Sequence, residues 1–177
     1  MLIDRTSLAA AKVAGAKDEY RYPMQHLQVT KEKTVATDGH ILIEIQNSDA
    51  NVEEFPAVAG VEPLVDGTVY IHRDHVATIL KALPKKTTLP ILAHALIGKS
   101  ATDQPVPIAV TDLESTQIIQ AKRPDLTFPK VEQVYPTTPP FLHVTLGLDV
   151  VDHLIDTLKA AGAKRVRLAF HPKQGPV

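Results

Sequence analysis

The sequence has no cysteine and no tryptophan. Without cysteine there are no disulfides, no thiolate metal sites and no cysteine nucleophile. Aromatic residues make up only 5%, which argues against a binding surface of stacked rings. Glycine is scarce, 8 residues against 14 prolines, so the chain is stiff and broken into extended segments. Neither sign of charge is in excess: 19 Lys and Arg face 20 Asp and Glu, a net charge of −1. Bulk attraction to nucleic acid or an anionic membrane is excluded, although a local basic stripe is not. No run reaches the ~18 apolar residues of a membrane helix. The longest uncharged stretches, 87–98 and 133–148, both contain proline. Asp4 and Arg5 come early and Lys12 interrupts the alanine-rich start, a poor signal peptide. The expectation is a soluble, cytoplasmic protein without a membrane partner.

What is present is ordinary in bulk. The 177 residues are 44% hydrophobic and 22% charged, which rules out general disorder and suggests one domain, or two at most. The informative feature is a repeat. Phe55-Pro56-Ala57-Val58 through Pro63 and Phe128-Pro129-Lys130-Val131 through Pro136 both read F-P-x-V-x-x-V-x-P, 73 residues apart. Thr37-Asp38 and Thr111-Asp112 each close a Val/Ala run, 74 apart. Asp74-His75-Val76 and Asp152-His153-Leu154 each open an apolar-periodic stretch, 78 apart.

Local patterns give each copy similar parts. Val76, Ile79, Leu80 and Leu83 lie on one face of a helix, and Val151, Leu154, Ile155 and Leu158 repeat that spacing. Pro84 stops the first of these helices, and Gly162 can cap the second. A further helix is expected within 7–17, capped by Ser7, with Leu8, Ala11 and Gly15 facing inward. Strands are expected at 26–30, 34–36, 40–46, 68–71, 93–98, 107–110, 116–122, 141–146 and 165–170. The proline-rich stretches 47–67 and 124–140 read as ordered, extended connections. The plan is strand–helix–strands, about two and a half times over, in an α+β architecture of antiparallel sheets. Residues 1–136 would form a domain of two units, and 137–177 a partial third unit.

Residues 20–45, with T-V-A-T-D-G-H at 34–40 and Leu42 following, resemble the bacterial DNA polymerase III β subunit, the sliding clamp. F-P-x-V-x-x-V-x-P at 128–136 looks like a clamp domain-closing element. Leu89-Pro90-Ile91-Leu92 and Thr111-Asp112-Leu113-Glu114 are similar to further clamp motifs. The resemblance implies the DNA-clamp fold, with repeated units, helices lining a hole and sheets outside. It implies a non-enzymatic processivity role in replication or repair, and assembly as a homo-oligomer around duplex DNA. It also implies a peptide pocket that docks replication or repair proteins, carried here by Thr37, Gly39, His40, Ile41 and Leu42. The chain is about half the length of a bacterial clamp, Ile41 replaces the usual Arg after G-H, and the family's C-terminal tail motif is absent, so the pocket would lack one wall.

DNA contact in such a fold is non-specific and directed to phosphates. The candidates are Arg5, Lys12, Lys17, Arg21, Arg73, Lys81, Lys85, Lys86, Lys164 and Arg165. The face around His153 is acidic instead, with Asp149, Asp152 and Asp156. A clamp-fold module that binds partners without encircling DNA is the alternative. A metal-dependent hydrolase is a third reading. His72 and His75 stand at i, i+3, a spacing that could share a zinc ion, but no third ligand is apparent, so no metal or cofactor is assigned. Asp38 and His40 could form an acid–base pair, yet no nucleophile motif or phosphate-cradling glycine loop accompanies them. His94, His143 and His171 read as satisfied core or edge residues.

Overall fold

The computed structural model describes residues 1–134, 145–152 and 155. The expected strand at 165–170, most of that at 141–146, and Leu154, Leu158, Gly162, His143, His153, His171, Lys164 and Arg165 lie outside the described residues. The chain divides into two compact units, Met1–Tyr135 and Pro136–Val177. In the second, residues 148–152 are helical, within the stretch where the Val151 periodicity predicts a helix.

The first unit uses one series of elements twice. The first series is β1 (Leu2–Asp4), α1 (Arg5–Ala14), a 3₁₀ turn (Glu19–Gln25), β2 (His26–Val29), β3 (Lys33–Thr37), β4 (Leu42–Gln46) and a 3₁₀ turn (Val52–Glu54). The second is β5 (Val69–His72), α2 (Arg73–Ala82), a 3₁₀ turn (Pro90–Ala93), β6 (His94–Ile97), β7 (Val106–Thr111), β8 (Thr116–Ala121) and a 3₁₀ turn (Val131–Val134). The architecture is α+β, as the sequence implies.

The strands form two antiparallel sheets, in the orders β1-β6-β7-β8 and β4-β3-β2-β5. Each repeat therefore gives its first strand to the other's sheet. Ile3 pairs with Ala95 across β1 and β6, and Leu27 pairs with Ile71 across β2 and β5. The three-residue β1 is too short to show a period, and only this exchange makes it a strand.

The helices begin the same way. Asp4 caps α1 by accepting from the Ser7 N–H at 2.8 Å, and it also accepts from the Ser7 hydroxyl. The expected cap at Ser7 is thus corrected: the helix starts earlier, and Ser7 is held by the capping carboxylate. Gly15 is buried, as expected, and is the residue that ends α1, with its N–H donating to Ala11 O. His72 caps α2 through Nδ1, which accepts from the Asp74 N–H. Leu83 follows the last residue of α2 and Pro84 comes next, where a helix interior is forbidden.

The two helices run antiparallel and are tied at both ends. The Arg5 guanidinium donates to Leu83 O and, at 3.2 Å, to Pro84 O. The Arg73 guanidinium donates to Ala16 O at 2.8 Å. Each cation thus sits at the C-terminal end of the partner helix, where free carbonyls and the helix dipole favour it.

One apolar core joins the helices to the inner faces of both sheets, with Leu8, Ala11, Val76 and Ile79 against Ile3, Leu27, Ile71, Ile97 and Ile108. The outer faces are covered by the proline-rich connections. Phe55 and Val61 pack on Leu2, Leu96 and Ala109, and Phe128 and Val131 pack on Val35, with Tyr70 and Leu42 beside them. Phe128 stacks on Tyr70 with ring centroids 5.8 Å apart. The repeated F-P motif is thus the clasp of each outer face. Gly98 lets its connection approach: a Cβ there would lie 2.7 Å from Val61 Cγ1 and 2.9 Å from Pro107 Cγ.

Phe55→Ala and Phe128→Ala should each cost about 3 kcal/mol, the usual penalty for emptying a buried phenylalanine site. Because the two clusters share no residue, the double variant should be additive within ~0.5 kcal/mol in urea denaturation. A strong coupling energy would show that the two clasps are not separate.

Candidate functional site

The five residues assigned to a peptide pocket fall together on the β3–β4 turn. Thr37 Oγ1 donates to Ile41 O at 2.6 Å and accepts from the Gly39 N–H at 3.0 Å. Asp38 Oδ1 accepts from the N–H groups of His40 and Ile41 at 2.8 and 2.9 Å. These bonds hold the Asp38 carboxyl below the usual carboxylate range. They also commit it to the turn, so it is not free as a base for His40. Gly39 has φ +86°, the left-handed region that glycine enters without strain. Arg21 braces the turn from outside, donating to Asp38 O, with Nη2 3.4 Å from His40 Nε2. Thr37 is buried and Leu42 leans onto the Phe128 cluster. His40 and Ile41 are the residues of the five that offer exposed side chains.

The β7–β8 turn is built the same way. Thr111 Oγ1 donates to Ser115 O and accepts from the Leu113 N–H, while Asp112 Oδ1 accepts from the Glu114 and Ser115 N–H groups. Leu113 stands where Gly39 stands and has φ +76°. The Thr-Asp pair is therefore turn chemistry first, and the second copy carries a side chain where the first carries none.

The cations assigned to a DNA-facing surface divide into two sets. Arg5, Arg73 and Arg21 are half-buried and engaged with backbone carbonyls. Lys17, Lys81, Lys85 and Lys86 are exposed and Lys12 is half-exposed. None of these five lysines has an ion-pair partner among the described residues. The solvent side of α1 is otherwise Thr6, Ala9 and Val13, the last 77% exposed.

Spacing in the sequence pairs His72 with His75, and nothing local marks His26. The strand register sets His26 opposite His72, with ring centroids 5.0 Å apart and the rings edge to face. Burial pushes the pKa of both His26 and His75 down, and the neighbouring imidazoles add to the effect. No cluster of metal-ligating side chains of suitable geometry occurs among the described residues. His94, read as a satisfied edge residue, is buried with Nδ1 facing Pro90 O and Ile91 O and Nε2 2.8 Å from Ser48 Oγ. A cavity of about 990 Å³ lies elsewhere, near Met1, Asn47 and Leu64, with more acidic than basic residues around it.

No family model matches the sequence, and no curated protein matches it. Solved structures do match. The sliding clamp (DNA polymerase III subunit beta) of Bartonella birtlesii is 20% identical, with a TM-score of 0.52, over 77% of this chain and 34% of that one. The DNA polymerase sliding clamp of Bacillus subtilis is 14% identical, with a TM-score of 0.51, over 78% and 33%. The beta sliding clamp of C. crescentus is 20% identical, with a TM-score of 0.51, over 78% and 34%. The chain has the sliding-clamp fold. It spans about a third of the length of the clamps it matches. No helix among the described residues is long and apolar enough to cross a membrane.

Gly39→Ala should destabilise by about 1 kcal/mol, the cost of a side chain in the left-handed region. Its Cβ would meet Arg21 Nη1 and Met24 Sδ at an ordinary 3.6 Å, so the loss in urea denaturation should stay near that figure.

His26 and His75 have folded pKa values below the unfolded one. As pH falls below ~6.5 the unfolded chain takes up protons that the folded chain resists. Stability should be full above that pH and decline below it. Thermal unfolding across this range should show a shallower decline in the His26→Asn/His75→Gln variant, whereas an equal slope would discard these histidines as the cause.

Proposed function

We propose that the protein is a non-enzymatic, clamp-fold accessory of DNA replication or repair, acting in the cytoplasm. It docks partner proteins and assembles with further copies around duplex DNA. The observation that carries this reading is the domain itself, two exchanged repeats that set an antiparallel helix pair on one side and leave β1, β4, β5 and β8 as sheet edges. β8 reads Thr-Gln-Ile-Ile-Gln-Ala, with Ile118 exposed. Edge strands that must stay single usually carry charge, and this one carries none, which favours pairing with another copy. The partial unit in 137–177 would contribute to the same assembly. Lys12, Lys17, Lys81, Lys85 and Lys86 would meet phosphates from the helix side, with Lys164 and Arg165 as further contacts. The turn carrying Thr37, Gly39, His40, Ile41 and Leu42 would receive short peptides of replication or repair proteins, through His40 and Ile41.

A second reading has its own observation. The solvent side of α1 is small and apolar around Val13 rather than basic, which suits a partner-binding module that no longer surrounds DNA.

Light scattering at micromolar concentration, with and without nicked circular DNA, separates the two. The clamp reading expects an oligomer that stays on circular DNA and slides off once it is linearised. Ile118→Lys should lower the mass. Five lysine contacts would give a log–log salt slope of about −4 to −5 for duplex binding. A monomer with no retention on circular DNA would sink the clamp reading in favour of the module.

A further inference from the structure

A second cavity, of about 460 Å³, opens where the first turn of α2 meets the end of β8. His26, His72, His75, Lys122 and Arg123 line it, together with Tyr22, Asp74 and Asp125. Three imidazoles and two permanent cations thus converge from β2, from the β5–α2 junction and from the segment after β8.

Part of their hydrogen-bonding capacity is unspent. His26 Nδ1 is 3.0 Å from Tyr22 O, so Nδ1 carries the proton of the neutral ring and Nε2 is its bare nitrogen. His72 is fully used when neutral: Nδ1 accepts from the Asp74 N–H, and Nε2 faces Gln25 Oε1 at 3.4 Å. Lys122 has no ion-pair partner among the described residues. Arg123 donates through Nη1 to Ala101 O, which leaves most of its donors free. Two carboxylates oppose these groups. Asp74 Oδ2 lies 3.6 Å from His72 Nδ1, and Asp125 is on the far wall.

With neutral imidazoles, Lys122 and Arg123 balance Asp74 and Asp125, and the recess has no net charge. Protonation of His26 and His75 adds two positive charges and turns the bare Nε2 of His26 into a donor. A recess rich in donors, poor in acceptors and cationic in this form suits a small anion with several acceptor oxygens. We propose that it binds a free tetrahedral oxyanion, sulfate or the terminal phosphate of a small ester, and binds it tightly only when His26 and His75 are protonated. Lys122, Arg123 and the histidines are separate from the cations assigned above to a DNA-facing surface, so the site is independent of whether the protein encircles DNA.

The two phosphate sources, free anion and nucleic-acid backbone, can be told apart. Sulfate stays a dianion across the range in which histidine titrates, so any pH effect on its binding belongs to the protein. Calorimetric titration of the full chain with sodium sulfate at about pH 5.5 and about pH 7.5 should show binding at least tenfold tighter at the lower pH. Histidine ring signals in NMR should move on the same titration. The Lys122→Gln/Arg123→Gln variant alters exposed positions and should lose at least fivefold in affinity at the lower pH. His75→Gln should reduce the pH dependence. A short DNA duplex should not displace the sulfate. Equal affinity at both pH values, or full affinity in the Lys122/Arg123 variant, would overturn the proposal. So would duplex binding that depends on these residues in the absence of sulfate binding.

Discussion

Neither repeat of the first unit can complete its own sheet. The strand that opens each repeat is hydrogen-bonded into the sheet of the other, β1 onto β6 and β5 onto β2. The remaining features depend on this exchange. Because each helix follows an exchanged strand directly, the two helices start at opposite ends and run antiparallel. That places Arg5 and Arg73 beside the carbonyls that end the facing helix. It also brings the inner faces of both sheets onto one core. A single repeat would expose an unpaired sheet edge and half of an apolar interface, so the two should fold as one cooperative body.

The copies have diverged in what their connections do, not in how they are held. Both turns after the third strand of a repeat use a threonine hydroxyl and an aspartate carboxylate to satisfy backbone groups. One turn places glycine at positive φ and is braced by Arg21. The other places Leu113 there and leaves it exposed. A side chain held in the left-handed region costs on the order of 1 kcal/mol. The hydrogen-bond frame of the second turn is strong enough to hold that conformation without the glycine.

Much of the fold could be read from residue order. Strand alternation located β2 to β8 within a residue or two, and the i, i+3, i+4, i+7 spacing from Val76 located α2. The F-P motif marked the two segments that cover the outer faces. Long-range pairing was not legible in the same way. β1 has three residues and no period, so nothing local shows it as a strand. Asp4 gives no cap signal in the sequence, because Ser7 beside the alanine-rich run offers a later helix start. The 3₁₀ turns before β2 and β6 carry no periodic signal, since a single turn has no repeated face. His26 is a lone histidine at the head of a strand in the sequence. It becomes part of a cluster only through the register that sets it opposite His72. The turn residues were recognisable as a group, but which of them remain exposed depends on the packing of Leu42 and the hydroxyl bond of Thr37.

The same long-range packing changes how the charge of −1 should be understood. Counting cations along the helices treats arginine and lysine alike, but the structure separates them. Arg5, Arg21 and Arg73 spend their planar donor sets on main-chain carbonyls of other segments, a geometry that guanidinium satisfies and ammonium does not. The helix-side cations without such ties are lysines, strongly hydrated point charges on flexible stems. A surface of that kind attracts phosphate without fixing register or orientation. If the helices face a duplex, the contact would therefore be weak per site, salt-sensitive and indifferent to sequence. On the clamp reading proposed above, with few helix cations, retention would have to come from closure of the assembly through strands such as β8.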